Sequence, residues 1–142
     1  MPTITNLALS ITTTSPLSTV TLGVTYTVTF SAVERYLADH GLGFVERIQI
    51  IGDDPGEASD LVLHTLPSQL IALAPAQVVV TRARQITVTR GSLNEDPGPT
   101  PGPGPIHLPN ADELFARVEI PYVGLGSAPA RADSPVKTIT VV

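Results

Sequence analysis

An acidic turn is the most direct candidate for chemistry in this chain. Four carboxylates stand close together between two hydrophobic stretches, at Asp53, Asp54, Glu57 and Asp60. Carboxylates a few residues apart on a loop suit Ca²⁺, because this hard cation takes several oxygen ligands in a flexible geometry. Their spacing lacks the twelve-residue helix-loop-helix pattern, and Asp and Gly also form ordinary turns. The sequence therefore predicts either a calcium-assisted binding site or a plain turn at these four residues.

Two further acidic groups flank a proline-rich segment. Asn94, Glu95 and Asp96 precede the segment, and Asp112 and Glu113 follow it. If the acidic turn and this loop meet at one end of the fold, carboxylates from both can bind the same cation. The alternative is that each group is a separate solvated loop.

Residues for covalent catalysis are sparse. The serine closest to a nucleophile elbow is Ser127, but it lacks the second flanking glycine of Gly-x-Ser-x-Gly and a following helix. His40, His64 and His107 stand singly, without the paired spacing that puts two metal ligands on one face. We expect no enzyme here. A hydrolase is the third hypothesis, and it requires a pocket that brings one histidine to a carboxylate and a serine.

The segment Pro97–Pro105 alternates proline with glycine and one threonine. Its prolines have no backbone N–H to offer an anion, so it is a poor phosphate cradle. Such a composition is typical of an extended, polyproline-like loop, which we place at residues 94–112.

Charge and composition exclude some classes of partner. A net charge of −5 argues against nucleic acid, since nucleic-acid binders concentrate Lys and Arg on one face. Without cysteine there is no disulfide or thiolate metal site. No segment has the pattern of a signal peptide or of a membrane span. We expect a cytoplasmic protein or a component of an exported or virion assembly.

A long alternating stretch indicates how the chain folds. From residue 20 to residue 32 apolar side chains alternate with Thr, Gly and Ser, which predicts a half-buried strand with a row of hydroxyls on its other face. The chain also contains 17 Thr, 15 Val and 10 Ile, and these β-branched residues favour strands. Similar patterns predict further strands near residues 3–14, 44–52, 61–66, 76–90, 114–122 and 136–142. A helical turn ending at Gly41 is predicted to connect two of them. A second helical turn is one interpretation of residues 67–75.

Arg82 and Arg84 share the parity of the apolar residues in the predicted strand at 76–90. Two arginines on the inner face of one strand are improbable, so we expect a bulge or break near residues 82–84 that turns them outward. Glu46 interrupts the apolar parity of the strand at 44–52 in a similar way.

Seven or eight strands separated by turns, without long helices, predict an all-β fold: a single antiparallel two-sheet sandwich spanning residues 1–142. In strand number the chain resembles an immunoglobulin or fibronectin type III module. It has neither the Cys nor the Trp of antibody domains. C2-like and jelly-roll sandwiches have a similar outline.

From these observations we expect a non-catalytic structural or assembly module. It would act through a protein partner or through self-association, as a subunit or decoration of a filament, virion or appendage. The uncharged hydroxyl row and the strands predicted at both termini suggest this role, because terminal strands can pair with a neighbour's sheet edge. The alternative is a Ca²⁺-assisted ligand- or carbohydrate-binding sandwich. Sugar platforms usually present aromatic rings, and most aromatics here are predicted to point inward or to lie in the connector.

Overall fold

The computed structural model describes residues 2–13, 19–41, 43–52, 61–93, 110–123 and 130–141. These residues form ten strands, one α-helix and one 3₁₀ turn, in two antiparallel sheets. The predicted all-β sandwich is confirmed. In chain order the elements are β1 (Thr3–Thr13), β2 (Thr19–Thr29), α1 (Ala32–Asp39), β3 (Gly43–Gly52), β4 (Leu61–Thr65), β5 (Gln69–Leu70), β6 (Val79–Thr89), the 3₁₀ turn (Arg90–Leu93), β7 (Asn110–Ile120), β8 (Tyr122–Val123), β9 (Ala130–Asp133) and β10 (Lys137–Val141).

The smaller sheet contains three strands in the order β1-β2-β6. The larger sheet has the order β10-β7-β3-β4, with β5 and β8 paired to β3 and with β9 paired to β7. Several of these short strands continue one another along the same neighbour. β4 and β5 follow one edge of β3, β7 and β8 follow its other edge, and β9 and β10 follow the outer edge of β7. The larger sheet therefore has four strand positions facing the three of the smaller sheet.

The alternation in β2 supplies the central strand of one wall of the core. Its apolar residues are buried, whereas the residues between them are partly or fully exposed. Opposite them lie the apolar residues of β3 and β7, so the core fills the space between the two sheets. Phe30 and Phe44 meet at one end with ring centroids 4.6 Å apart. The buried hydrophobic residues of β2, β3 and β7 in this core are Val20, Leu22, Val24, Tyr26, Val28, Phe44, Ile48, Ile50, Leu114, Ala116, Val118 and Ile120.

Helix α1 carries the chain from β2 to β3. Ser31 and Glu34 form a reciprocal capping box: the Ser31 amide donates to Glu34 Oε1 (2.7 Å), and the Glu34 amide donates to Ser31 Oγ (3.2 Å). Gly41 closes the turn with φ +95°, which confirms the predicted left-handed residue. In the described part of the chain no helix is long and apolar enough to cross a membrane.

Two predictions for individual segments are wrong. β6 is a single strand whose register with β2 runs without a shift from Val79 to Thr89, so there is no bulge near residues 82–84. Residues 67–75 form no helical turn; they contain the short strand β5 and an extended stretch in which the Ile71 amide donates to the Phe44 carbonyl.

Candidate functional site

Four polar side chains meet between the two sheets. Glu46 on β3 is fully buried and receives hydrogen bonds from the Tyr26 hydroxyl, from Arg82 Nε at 2.9 Å and from Arg84 Nη1. We call these four residues the Glu46 cluster. It joins the central strand and one edge strand of the smaller sheet to a strand of the larger one.

The strand register explains why these residues meet. Tyr26 on β2 lies directly opposite Arg82 on β6, and Val24 lies opposite Arg84. Because side chains alternate across a strand, the two arginines and Tyr26 point to the same inner face. Glu46 has the same parity as Phe44 and Ile48 on β3, so it points to that face from the other sheet.

Each arginine also donates one hydrogen bond to the edge of the larger sheet. Arg82 Nη2 donates to Gln69 Oε1 (3.0 Å), and Arg84 Nη2 donates to the Pro67 carbonyl (2.9 Å). Their side chains keep only 19% and 13% of their exposure. Both guanidiniums thus bridge from β6 to the β4–β5 edge and cover that side of the sandwich.

The ionisation states of the Glu46 cluster follow from burial and hydrogen bonding. Burial by itself favours a neutral Glu46, but the hydrogen bonds from Arg82, Tyr26 and Arg84 outweigh it and hold the Glu46 pKa below its usual value. Burial and the neighbouring carboxylate raise the pKa of Tyr26, and the bond to Glu46 raises that of Arg82. At neutral pH the Glu46 cluster therefore consists of a carboxylate, a phenol and two guanidiniums.

This arrangement is suited to holding strands together. General acid–base catalysis needs a group whose pKa lies near the working pH and which reaches a substrate. In the Glu46 cluster the carboxylate is surrounded by donors of the protein itself, and its pKa moves away from neutrality. We read the four residues as a clasp between the sheets.

The structure brings one histidine to a serine. His64 Nε2 on β4 lies 2.8 Å from the Oγ of Ser92 in the 3₁₀ turn, and Ser92 Oγ donates to the Thr89 carbonyl at 2.6 Å. The serine proton is thus engaged by a backbone carbonyl, so His64 acts as the donor in this contact. Burial lowers the pKa of His64, which keeps the ring neutral.

Among the described residues, no three Asp, Glu, His or Cys side chains are grouped as a metal site would need. The predicted calcium ligands Asp53, Asp54, Glu57 and Asp60 lie outside the described residues, so that hypothesis stays a prediction.

Other sequence candidates also lie in undescribed parts of the chain or are simple surface groups. Residues 94–109, with the proline-rich segment and His107, and residues 124–129, with Ser127, are not described. Glu113 lies on β7, and His40 Nδ1 is 2.8 Å from the Tyr36 carbonyl on the exposed side of α1. Asp112 also lies on β7, but its side chain is not described.

A pocket of about 450 Å³ opens beside α1. Its walls are polar and apolar in about equal parts, with Phe44, Leu70 and Leu73 among the apolar residues. Its cation, Arg35, is already bonded to Asp39 and to the Gln77 carbonyl. The volume is within the usual range of ligand pockets, about 300–1,000 Å³. A second, smaller pocket of about 240 Å³ lies on the polar outer face of the larger sheet, beside Arg47 and Arg117.

The comparisons with known proteins assign no family. No protein-family model matches the chain, and no significant match is found among curated proteins or solved structures. The resemblance to an immunoglobulin or fibronectin type III module therefore stays a prediction.

Sequence reasoning missed the Glu46 cluster, although two signals pointed to it. Glu46 stands at an inward position of one strand, and Arg82 and Arg84 stand at inward positions of another. Charges of opposite sign at inward positions of two strands satisfy one another if the strands face each other across the core. Each anomaly alone predicts a defect in its own strand, whereas the pair predicts a salt bridge between sheets.

Proposed function

We propose that this protein is a non-catalytic β-sandwich module that acts through protein–protein contacts, as a structural or assembly subunit. The observation that carries the proposal is the outer face of the smaller sheet, which we call the hydroxyl face. The strand register places its residues in rows across β1, β2 and β6, and none of them is charged. They are Thr3, Thr5, Ala8, Ser10, Thr12, Thr19, Thr21, Gly23, Thr25, Thr27, Thr29, Val79, Thr81, Ala83, Gln85, Thr87 and Thr89.

The outer face of the larger sheet is different. It pairs opposite charges across neighbouring strands, with Arg47 opposite Glu119, Glu119 opposite Arg131 and Arg117 opposite Asp133. Arg117 Nε donates to Asp133 Oδ1 at 2.8 Å. Charged residues are depleted at the centres of protein interfaces because their desolvation is costly. A partner that covers the hydroxyl face therefore desolvates no charged side chain, whereas one that covers the outer face of the larger sheet has to desolvate several.

The partner proposed for the hydroxyl face is a second copy of the chain. Two molecules that each carry a net charge of −5 repel one another least when uncharged faces meet. Strands of 11 residues at about 3.4 Å per residue, three of them at about 4.8 Å spacing, give a flat area of roughly 500 Å². That is below the about 800 Å² per partner of a standard interface, so we expect weak association in the micromolar range.

Two further observations support the proposal. The carboxylate of Glu46 is fully buried and receives its hydrogen bonds from side chains of the protein itself. In addition, when β4–β5, β7–β8 and β9–β10 each count as one strand, the first, second and fifth strands share one sheet and the third, fourth, sixth and seventh share the other. Immunoglobulin-like modules separate the first, second and fifth strands from the third, sixth and seventh in the same way, although the constant type places its fourth strand with the first group. Many such sandwiches are cell-surface domains.

Light scattering on the purified chain over a range of micromolar concentrations tests the proposal. We expect a mass that rises with concentration, and we expect Thr25→Lys at the centre of the hydroxyl face to abolish the rise. Thr65→Lys is the matched control, because Thr65 is exposed on the outer face of the larger sheet. A strictly monomeric species, or an equal effect of both variants, overturns the self-association.

A further inference from the structure

The four edges of the sandwich are not equally protected. In the larger sheet one edge is interrupted between β4 and β5, where Pro67 stands, and the other between β9 and β10, where Pro135 stands. In the smaller sheet β1 carries a bulge between Thr5 and Ala8, with Asn6 at φ +55°. Prolines, bulges and short strands are the devices by which natural sheets prevent unwanted strand pairing.

The edge of β6 lacks these devices. It runs for 11 residues without a proline or a shift in register, and within the described chain it pairs with β2 alone. The Phe30 amide donates to the Val78 carbonyl, so the even-numbered residues of β6 direct their N–H and C=O groups toward β2. The odd-numbered residues direct theirs to the open edge. One of these groups, the Val79 carbonyl, accepts from Gln77 Nε2 at 3.1 Å, so the open stretch begins at Thr81.

The charge at this edge selects what can be added to it. On the inner side of the edge lie two guanidiniums, Arg82 and Arg84, against the single carboxylate of Glu46. An inward-pointing charge normally discourages an incoming strand, which would cover it. Here one positive charge is in surplus, so a strand that brings a carboxylate to the arginines compensates it.

A second copy of β6 does not meet this requirement. Antiparallel pairing of two β6 strands about Ala83 would set arginine opposite arginine, and like charges directly opposite one another destabilise a sheet. This register therefore disfavours a second β6 strand, and the surplus positive charge favours an acidic segment of another protein as the occupant.

We propose that the open edge of β6, from Thr81 to Thr87, is a strand-addition site for an extended segment of a partner protein that carries an acidic side chain toward Arg82 and Arg84. The backbone groups of Thr81, Ala83, Gln85 and Thr87 supply the ladder, and the arginines supply the selectivity. The site deepens the proposed function, on which it rests only in taking protein contact as the role. It uses an edge and not the hydroxyl face.

Synthetic peptides test the site on the intact chain. The probe is a nine-residue peptide of alternating Thr and Val in which two central Val are replaced by Glu, and its control carries Lys at the same two places. We expect the Glu peptide to bind at least tenfold more tightly than the Lys peptide in fluorescence anisotropy. We also expect it to slow hydrogen exchange at the amides of Thr81, Ala83, Gln85 and Thr87, which face the open edge. Equal affinity for both peptides, or protection that leaves these four amides unchanged, overturns the proposal.

A variant of the edge separates strand addition from simple charge attraction. Ala83→Pro removes an N–H that faces the open edge and not β2, so the sheet keeps its own hydrogen bonds. We expect this variant to melt as a folded protein and to lose binding of the Glu peptide, while Ala83→Val, which keeps the N–H, retains it. If a folded Ala83→Pro still binds, the contact is not strand addition. Light scattering without peptide reports on the hydroxyl face alone, so failure of either proposal is visible separately.

Discussion

Glu46 is a carboxylate held among apolar side chains on the inner face of β3, and two arginines and a tyrosine compensate its burial. Burying an ion pair costs several kcal/mol per ion in desolvation, which the mutual attraction offsets only when the hydrogen bonds are complete. In the Glu46 cluster the hydrogen bonds are nearly complete, because both guanidiniums also donate to the edge of the larger sheet. The cluster therefore contributes little net stability while intact, yet loss of one member is costly.

Replacing Glu46 with Gln tests this reasoning. Glu46→Gln keeps the shape but leaves two guanidiniums without a counter-charge. We expect the free energy of unfolding to fall by about 3 kcal/mol, the lower end for a broken buried pair, because the arginines retain some exposure. Urea denaturation measures it. The control Glu119→Gln, on the outer face of the larger sheet, should cost less than about 1 kcal/mol. If Glu46→Gln lowers the free energy of unfolding no more than the control does, the Glu46 cluster does not hold the two sheets together.

The stability should also depend on pH through Glu46. Its pKa is lower in the folded chain than in the unfolded one, so the folded state holds the carboxylate and the unfolded state binds a proton first. The contribution is complete above about pH 4.3, the usual pKa of glutamate, and is lost as the pH falls through the folded value. The gap in urea midpoint between wild type and Glu46→Gln should stay constant near neutral pH and shrink below about pH 4. A gap that grows on acidification contradicts the assignment.

The acidic turn gives a further prediction at the scale of single residues. If Asp53, Asp54, Glu57 and Asp60 hold Ca²⁺, the ion stabilises the folded chain by about 2.7 kcal/mol at a hundred times its dissociation constant. Isothermal titration calorimetry should show heat, and the melting temperature should rise with Ca²⁺. Asp54→Asn with Asp60→Asn should remove both effects, whereas Asp133→Asn on β9 should not. Absence of heat and of any rise in melting temperature eliminates the calcium site.

Among the elements, β2 could be predicted from sequence and β6 only in part. The alternation in β2 records which face is buried, and the burial follows it from Val20 to Phe30. In β6 the same alternation places Arg82 and Arg84 inward, and by itself it makes a bulge the natural inference. The carboxylate that makes the inward arginines possible, Glu46, is 36 residues away from Arg82 in sequence. No local pattern reports such a pairing, because it depends on how two sheets stack.

Of the α1 connector, the sequence analysis predicted only the C-terminal end. Gly41 signals the end of a helix by its conformational freedom, and the structure confirms it. The start of the helix is marked by the pattern Ser-x-x-Glu at Ser31 and Glu34, which forms a capping box. The long strand therefore ends at Thr29, three residues before the predicted limit of its alternation.

The two ends of α1 give a prediction at the scale of the element. Ser31→Ala removes the side-chain acceptor of the Glu34 amide and should cost about 1 kcal/mol of unfolding free energy. Gly41→Ala meets no atom within 4 Å, so its cost, also about 1 kcal/mol, is backbone strain alone. Urea denaturation measures both, and hydrogen exchange should locate the loosening in residues 32–39. Ser68→Ala, on the exposed stretch between β4 and β5, is the control and should be neutral within about 0.5 kcal/mol. Equal costs for all three variants contradict the capping argument.

At the scale of the whole molecule, the two sides of the sandwich are closed in different ways. On one side β1 packs across to β9 and β10. On the other side the Glu46 cluster reaches from β6 to β3 and to the β4–β5 edge. A hydrophobic closure of the second side would serve stability equally well, because well-packed apolar residues can replace a buried ion network without loss. The charges add protection of the β6 edge, since a strand without a carboxylate has to cover an uncompensated guanidinium.

We expect the protein to keep its stability but lose solubility when the whole Glu46 cluster is made apolar. The variant Tyr26→Phe, Glu46→Leu, Arg82→Leu, Arg84→Leu leaves no orphaned polar partner within the cluster. Its melting temperature should therefore equal or exceed that of the wild type, in contrast to Glu46→Gln alone. Its β6 edge, long and now apolar on its inner side, should pair without discrimination and form β-rich aggregates, which light scattering and thioflavin fluorescence detect. A variant that melts well below the wild type contradicts the apolar replacement, and one that stays as soluble as the wild type contradicts the protective role of the two arginines.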